Sequence, residues 1–227
     1  MPTHTPSLPN DQETAKWEAD EVRFVDISRI IPGLYLGNIV ASYHVPKLQE
    51  HNISAIVSLV ESRHPRWATP KFQSQIPSSE SDSDTHQSQH LVIPAFDSDT
   101  QDLLMHFQKI CDFIDAQMNA EQNVLVHCIA GVSRSPTAVT AYLMRKWGKG
   151  VDKTLAYVAG KRREARPSES FLEQLRVWEE VGCDIWEEGE EGGMMMPKRA
   201  YREYLERRAG VESPGGKRRG RRVVVVK

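Results

Sequence analysis

Cys128 and Arg134 bracket a loop of five residues in VLVHCIAGVSRSPT, residues 124–137. The loop residues Ile129, Ala130, Gly131, Val132 and Ser133 carry no acid, and Gly131 lets backbone amides turn inward around a small anion. With Arg134 opening a helix, the loop can offer N–H donors, the positive end of a helix dipole and a planar guanidinium to one phosphate dianion. A thiolate at the base of such a cradle is stabilised by the same donors, and helix N-termini and neighbouring cations in general bring cysteines down to roughly 3.5–7.5. Cys128 is therefore expected to be a ready nucleophile. Chance assembly of His-Cys-x-x-Gly-x-x-Arg-Ser in a chain of this size has odds below roughly one in ten thousand.

Displacing phosphate from an aryl or alkyl oxygen needs a nucleophile, stabilisation of charge on the equatorial oxygens, and a proton for the leaving group. Cys128 would supply the first, and the 129–134 amides with Arg134 the second. For the proton, Asp97 stands on a loop just after a strand that should end at the same rim as Cys128, with Asp99 and Asp102 as close rivals. Ser135 follows the arginine and can donate a hydrogen bond to the sulfur. His127 precedes the cysteine on a strand, so it should point away from the pocket and orient the loop rather than move protons.

HCIAGVSRSPT resembles the signature of the cysteine-dependent protein phosphatases, and its Ser-Arg-Ser ending resembles the dual-specificity branch. Two flanking segments, IIPGLYLGNIVAS at 30–42 and VIPAFDSDTQDLL at 92–104, resemble parts of that family's catalytic domain, and the likeness covers about Val22 to Val181. It is closest to members that carry a C-terminal zinc-binding domain, but only Cys183 lies beyond 181, so no such domain and no metal or other cofactor is expected. The resemblance implies hydrolysis of phosphotyrosine and phosphoserine/phosphothreonine through a phosphocysteine, with Asp97 as the acid and later the base, and Ser135 stabilising the departing thiolate. One departure is Pro167-Ser168-Glu169-Ser170-Phe171, where relatives tend to read Pro-Asn-x-Gly-Phe. The loop bracing the site lacks its usual asparagine, which leaves a phosphate-reading scaffold or pseudophosphatase as the alternative.

The substrate clues are negative ones. Uncharged Ile129, Ala130 and Val132 argue against a polyanionic inositol lipid, and no Lys-Asn-Arg-Tyr loop deepens the pocket for tyrosine alone. An RNA 5′-triphosphatase would share the cradle, but 22–181 lacks a basic groove signature. Expected partners are phosphorylated proteins, with neither nucleic acid nor membrane, and the chain is expected to be a monomer.

The elements that must position these residues alternate strand and helix. Val22–Ile31 and Leu34–Leu36, split by Pro32-Gly33, read as strands, as do Ser54–Val60, Leu91–Ala95 and Val124–Val126. Helices are expected over 41–51, 99–118 with a Ser98/Gln101 capping box, 134–147 stopped by Gly148, 154–164 and 171–181. The pattern indicates a single α/β domain with a mainly parallel central sheet flanked by helices, whose ligands sit beyond the carboxyl ends of the strands. Cys111 falls on the apolar face of the 99–118 helix and reads as core.

Residues 1–21 read as a disordered leader, 22–183 as the catalytic domain, and 184–227 as a charged tail with a short amphipathic helix at 197–209. Within the domain, 61–90 holds seven serines, four glutamines and three prolines and reads as a disordered insertion. His86 and His90 there are expected to be solvated rather than metal ligands. Among 227 residues no apolar run approaches membrane-spanning length, and the N-terminus lacks the basic start and apolar core of a secretory signal. Three unpatterned cysteines suit a reducing compartment, cytoplasmic or nuclear. The basic run Lys217–Arg222 reads as a solvated tail or a nuclear localisation signal.

Overall fold

The computed structural model describes residues 24–62, 67, 69–77, 89–189 and 194–210. The expected leader, most of the serine-rich stretch with His86, and the basic terminal run lie outside them.

Five strands form one sheet: β1 (Ile27–Ile31), β2 (Leu34–Gly37), β3 (Ile53–Leu59), β4 (Gln89–Ile93) and β5 (Asn123–His127), in the order β1-β2-β5-β3-β4. β1 runs antiparallel to β2 through the Pro32-Gly33 turn, and every other pair is parallel. β5 is the central strand, with Val126 beside Leu36 on one side and Val57 on the other.

Strand residues alternate between two buried faces, as the two-residue period of a strand requires. Leu34, Leu36, Ala55, Val57, Leu59, Val124 and Val126 face the larger core. That core is filled from α3 (Phe107–Asn119), α4 (Arg134–Trp147), α5 (Val151–Lys161) and α6 (Glu169–Glu180), which follow α1 (Val45–Glu50) and α2 (Pro70–Gln73) in the chain. Tyr35, Ile56 and Leu125 face the other way, onto Leu48 of α1 and onto Trp67, Phe72 and Ile76.

The last three residues correct the expectation of a wholly disordered 61–90 insertion. Trp67 is 1% exposed, donates its indole N–H to Ser42 O at 3.0 Å and meets Phe72 edge to face. These three apolar side chains complete the cover that Leu48 begins over this sheet face, and the average composition of a serine-rich stretch conceals them. β4 also starts two residues earlier than expected, so His90 is a strand residue. It shares a hydrogen bond with Ser58 Oγ at 2.7 Å and packs against Trp67 at 4.4 Å, and is not a solvated loop histidine.

The helix expected from residue 99 begins later, with a 3₁₀ turn at Leu104–His106 leading into α3. No capping box forms, because Gln101 Oε1 accepts the Phe96 N–H at 2.9 Å while Ser98 Oγ bonds Thr100. Gly148, at φ 61°, ends α4 by donating to Met144 O.

The domain does not stop at residue 183. Ile185 is fully buried, an antiparallel hairpin pairs β6 (Trp186–Glu188) with β7 (Met195–Pro197), and α7 (Arg199–Arg208) buries Tyr201 and Tyr204 in the larger core. The amphipathic helix expected within the charged tail is thus packed on the domain, with Leu205 left half-exposed. Among the described residues no helix is long and apolar enough to cross a membrane.

Candidate active site

Cys128 follows the last residue of β5 at the carboxyl end of the sheet, where a parallel fold opens its ligand crevice. Beyond it the chain turns through residues 129–133 into α4. The carbonyls of residues 129–132 are all engaged from outside the loop, and Ser133 O accepts from Thr137 in the first turn of α4. Ile129 O accepts from Ile39 N at 3.0 Å, Ala130 O from Arg162 Nη2 at 3.4 Å, Gly131 O from Arg162 Nε at 2.8 Å and Val132 O from Arg166 N at 2.7 Å. In a trans peptide the N–H lies opposite the C=O of the same unit, so the amides of residues 130–133 turn to the inner side. The Gly131 N–H shows it directly, donating to Cys128 Sγ at 3.2 Å.

Ser135 Oγ donates to the same sulfur at 3.2 Å. Two donors from the loop and the first turn of α4 thus converge on one thiol that is 1% exposed. The other two cysteines have different surroundings: burial pushes the Cys111 thiol up to about 12 and raises that of Cys183.

Arg134 is 5% exposed and donates from Nη1 to Ala95 O at 2.8 Å. Its Nε is buried, makes no hydrogen bond, and lies 3.7 Å from Asp97 Oδ2. Asp97 Oδ1 accepts the Ser133 hydroxyl at 2.9 Å. Of the three aspartates weighed from the sequence, Asp97 is the one that touches the loop, through Ser133. Asp99 is exposed, and Asp102 accepts the Met105 N–H on one oxygen and the Tyr201 hydroxyl on the other.

His127 is buried, with Nε2 2.5 Å from Ser58 Oγ and Nδ1 3.2 Å from the Cys128 carbonyl. Ser168, the departure from the usual asparagine, touches the loop through its backbone N–H, 3.4 Å from Ser133 Oγ, while its hydroxyl bonds Ser170.

Two residues that hold the site escaped the sequence reading. Arg162 braces the loop from beneath and forks onto Asp26 at 2.7 and 2.6 Å. Gln174, fully buried, accepts the Leu103 and Leu104 N–H groups at 2.7 and 2.9 Å and donates to Gln101 O at 2.8 Å. A signal existed for both. Val151, Thr154, Val158 and Arg162 recur at helical spacing, as do Phe171, Gln174, Leu175 and Trp178, and a polar residue on such a stripe must be buried with a partner.

Comparison with known proteins identifies the family. The model of the dual specificity phosphatase catalytic domain matches residues 34–181, and the chain belongs to that family. Dual specificity protein phosphatase 22 of Xenopus laevis is 34% identical over 160 residues, 70% of this chain and 66% of that protein. Human serine/threonine/tyrosine-interacting protein is 30% identical over 179 residues, 78% of this chain and 74% of that one. The crystal structure of human DUSP28 shares the fold with a TM-score of 0.56 at 28% identity, covering 68% of this chain and 93% of that chain. The domain is a protein phosphatase domain, a hydrolase, and phosphorylated proteins are the substrates its family implies.

Proposed function

We propose that the chain hydrolyses phosphotyrosine and phosphoserine/phosphothreonine in proteins through a phosphocysteine on Cys128, without a metal. The observation that carries this is the loop of outward carbonyls, which aims its amides at the space over a sulfur already held by Gly131 and Ser135.

In the first step Cys128 Sγ attacks phosphorus, the bond to the ester oxygen breaks, and Asp97 gives that oxygen a proton. The amides of the loop and Arg134 carry the charge on the equatorial oxygens. In the second step water attacks the phosphocysteine and Asp97 takes its proton. Sulfur leaves as thiolate, accepting the Ser135 hydrogen bond, and phosphate is released. His127 fixes the start of the loop through the Cys128 carbonyl. Loop residues without charge leave the substrate's remainder to be bound by shape rather than by further anionic groups.

The test is hydrolysis of phosphotyrosyl and phosphothreonyl peptides by the purified chain with chelator present. Cys128→Ser should abolish turnover and keep oxyanion binding, and Asp97→Asn should slow turnover about 10²-fold or more. Comparable turnover by Cys128→Ser would end the proposal, and phosphopeptide binding without turnover in the unaltered chain would favour the scaffold alternative. We further propose a monomer, located in the cytoplasm or nucleus; the three free thiols suit such a reducing compartment. Sizing chromatography and a fluorescent fusion test those two statements.

A further inference from the structure

Asp97 rides on residues 94–103, which form neither helix nor strand. A general acid must be held to within a few tenths of an ångström, so the contacts that fix this loop matter to the chemistry. Within the loop, Gln101 closes a ring by accepting the Phe96 N–H at 2.9 Å and donating its own N–H to Ser98 O at 3.1 Å. From outside, Gln174 holds the far end.

At the near end Arg134 holds Ala95 O, Ser133 holds Asp97 Oδ1 and Val60 O accepts the Ala95 N–H. A further set of outside contacts comes from α7. Arg208, its last residue, donates from Nη1 to Gln101 O at 3.3 Å and from Nη2 to Thr100 O. Two turns earlier, the Tyr201 hydroxyl donates to Asp102 Oδ2 at 3.2 Å, while Oδ1 of the same carboxylate accepts the Met105 N–H. The helix is itself anchored, since Tyr201 and Tyr204 are 4% and 1% exposed. Arg208 Nη1 also donates to Tyr204 Oη at 2.7 Å, and the guanidinium lies 5.4 Å over that ring. A buried aromatic therefore fixes the guanidinium before it meets the loop. The family model matches residues 34–181, and this helix lies past that stretch.

We propose that α7 is a positioning element for the acid loop, with Tyr201 and Arg208 fixing its far half at residues 100–102 and so helping to set where Asp97 stands. The inference rests on the reading of Asp97 as general acid and adds what places it. Neither residue contacts the sulfur or its loop, so their effect should fall on the step that needs the proton.

Phenyl phosphate has a poor leaving group that needs protonation, whereas p-nitrophenyl phosphate departs with little help. In the full chain, Arg208→Gln should lower kcat on phenyl phosphate about fivefold or more and on p-nitrophenyl phosphate less than twofold, with KM unchanged. Tyr201→Phe keeps the buried ring and should give the same selective loss, smaller in size. Arg208→Lys, which can still meet one carbonyl, should recover part of it. Equal losses on both esters, or none on either, would overturn the proposal. An unaltered chain inactive on both esters would overturn the phosphatase reading and this inference with it, whereas an active one with variant losses that ignore the leaving group sinks this inference alone.

Discussion

Arg162 and Asp26 meet through two parallel hydrogen bonds, Nη1 to Oδ1 at 2.7 Å and Nη2 to Oδ2 at 2.6 Å, while Nε of the same guanidinium holds Gly131 O. The pair straps the N-terminal end of the described chain to the underside of the cysteine loop. Arg162→Met keeps much of the volume and removes every donor, which strands the loop carbonyls. It should destabilise the fold by about 2–4 kcal/mol and weaken orthovanadate binding about tenfold or more. Urea titration and inhibition of turnover check the two. Asp26, about half-exposed at its side chain, should cost less when changed to Asn.

Gly131 has φ 71°, and a Cβ there would stand 2.7 Å from both Arg162 Nη2 and Gly37 O. The arginine is itself pinned and the carbonyl is backbone, so neither can move cheaply. Gly131→Ala should lower kcat/KM about 10²-fold through a displaced loop, with strain of about 1–3 kcal/mol in thermal unfolding. Gly148 has φ 61° but open space around its Cβ direction, so Gly148→Ala should cost about 1 kcal/mol of stability and leave turnover alone. Similar kinetic losses in both variants would refute the assignment of Gly131 to the cradle.

Trp67→Ala tests the cover over the second sheet face. The indole is buried against Phe72 and bonded to Ser42 O, so its loss should destabilise the domain by about 3–5 kcal/mol. A disordered insertion would tolerate the change with no shift in melting temperature.

How far the sequence speaks differs from one part of the molecule to another. Cys128, Gly131, Arg134 and Ser135 were legible because phosphate chemistry admits few residue types at those spacings, and the strands were legible because both faces of the sheet demand apolar runs. Trp67, Phe72 and Ile76 were not, since three buried side chains vanish in the average of a polar stretch. The stripe of Tyr201 and Tyr204 announces a helix without saying where it docks. Gln101 and Asp102 have side chains equally suited to a cap or a turn, and tertiary bonds to Phe96 N–H and the Tyr201 hydroxyl decided for the turn.

The buried thiols and phenols give the fold an alkaline limit. Burial pushes Cys111 and Tyr204 up to about 12 and also raises Cys183, Tyr142 and Tyr201. The folded chain holds these protons more tightly than the unfolded one, so the stability they give is complete below their unfolded values, about 8.5 for thiol and 10 for phenol. It is lost as pH rises toward the folded values. Urea midpoints should stay flat from neutral pH to about 8.5 and fall beyond it, and a midpoint still flat at the alkaline end would contradict the burial. Iodoacetamide at neutral pH should spare Cys111 and Cys183 in the folded chain, so labelling should nearly vanish in Cys128→Ser, as mass spectrometry of the intact protein would show.

The nucleophile stands at the tip of the middle strand, and β5 finds its neighbours in segments synthesised long before it, β2 and β3. A ribosome must therefore deliver well over half the polypeptide before any pocket can exist, and closure of such distant pairings is slow. Premature termination anywhere upstream of α4 would release a chain without a reactive centre, so partial products of translation carry no stray activity into the cell.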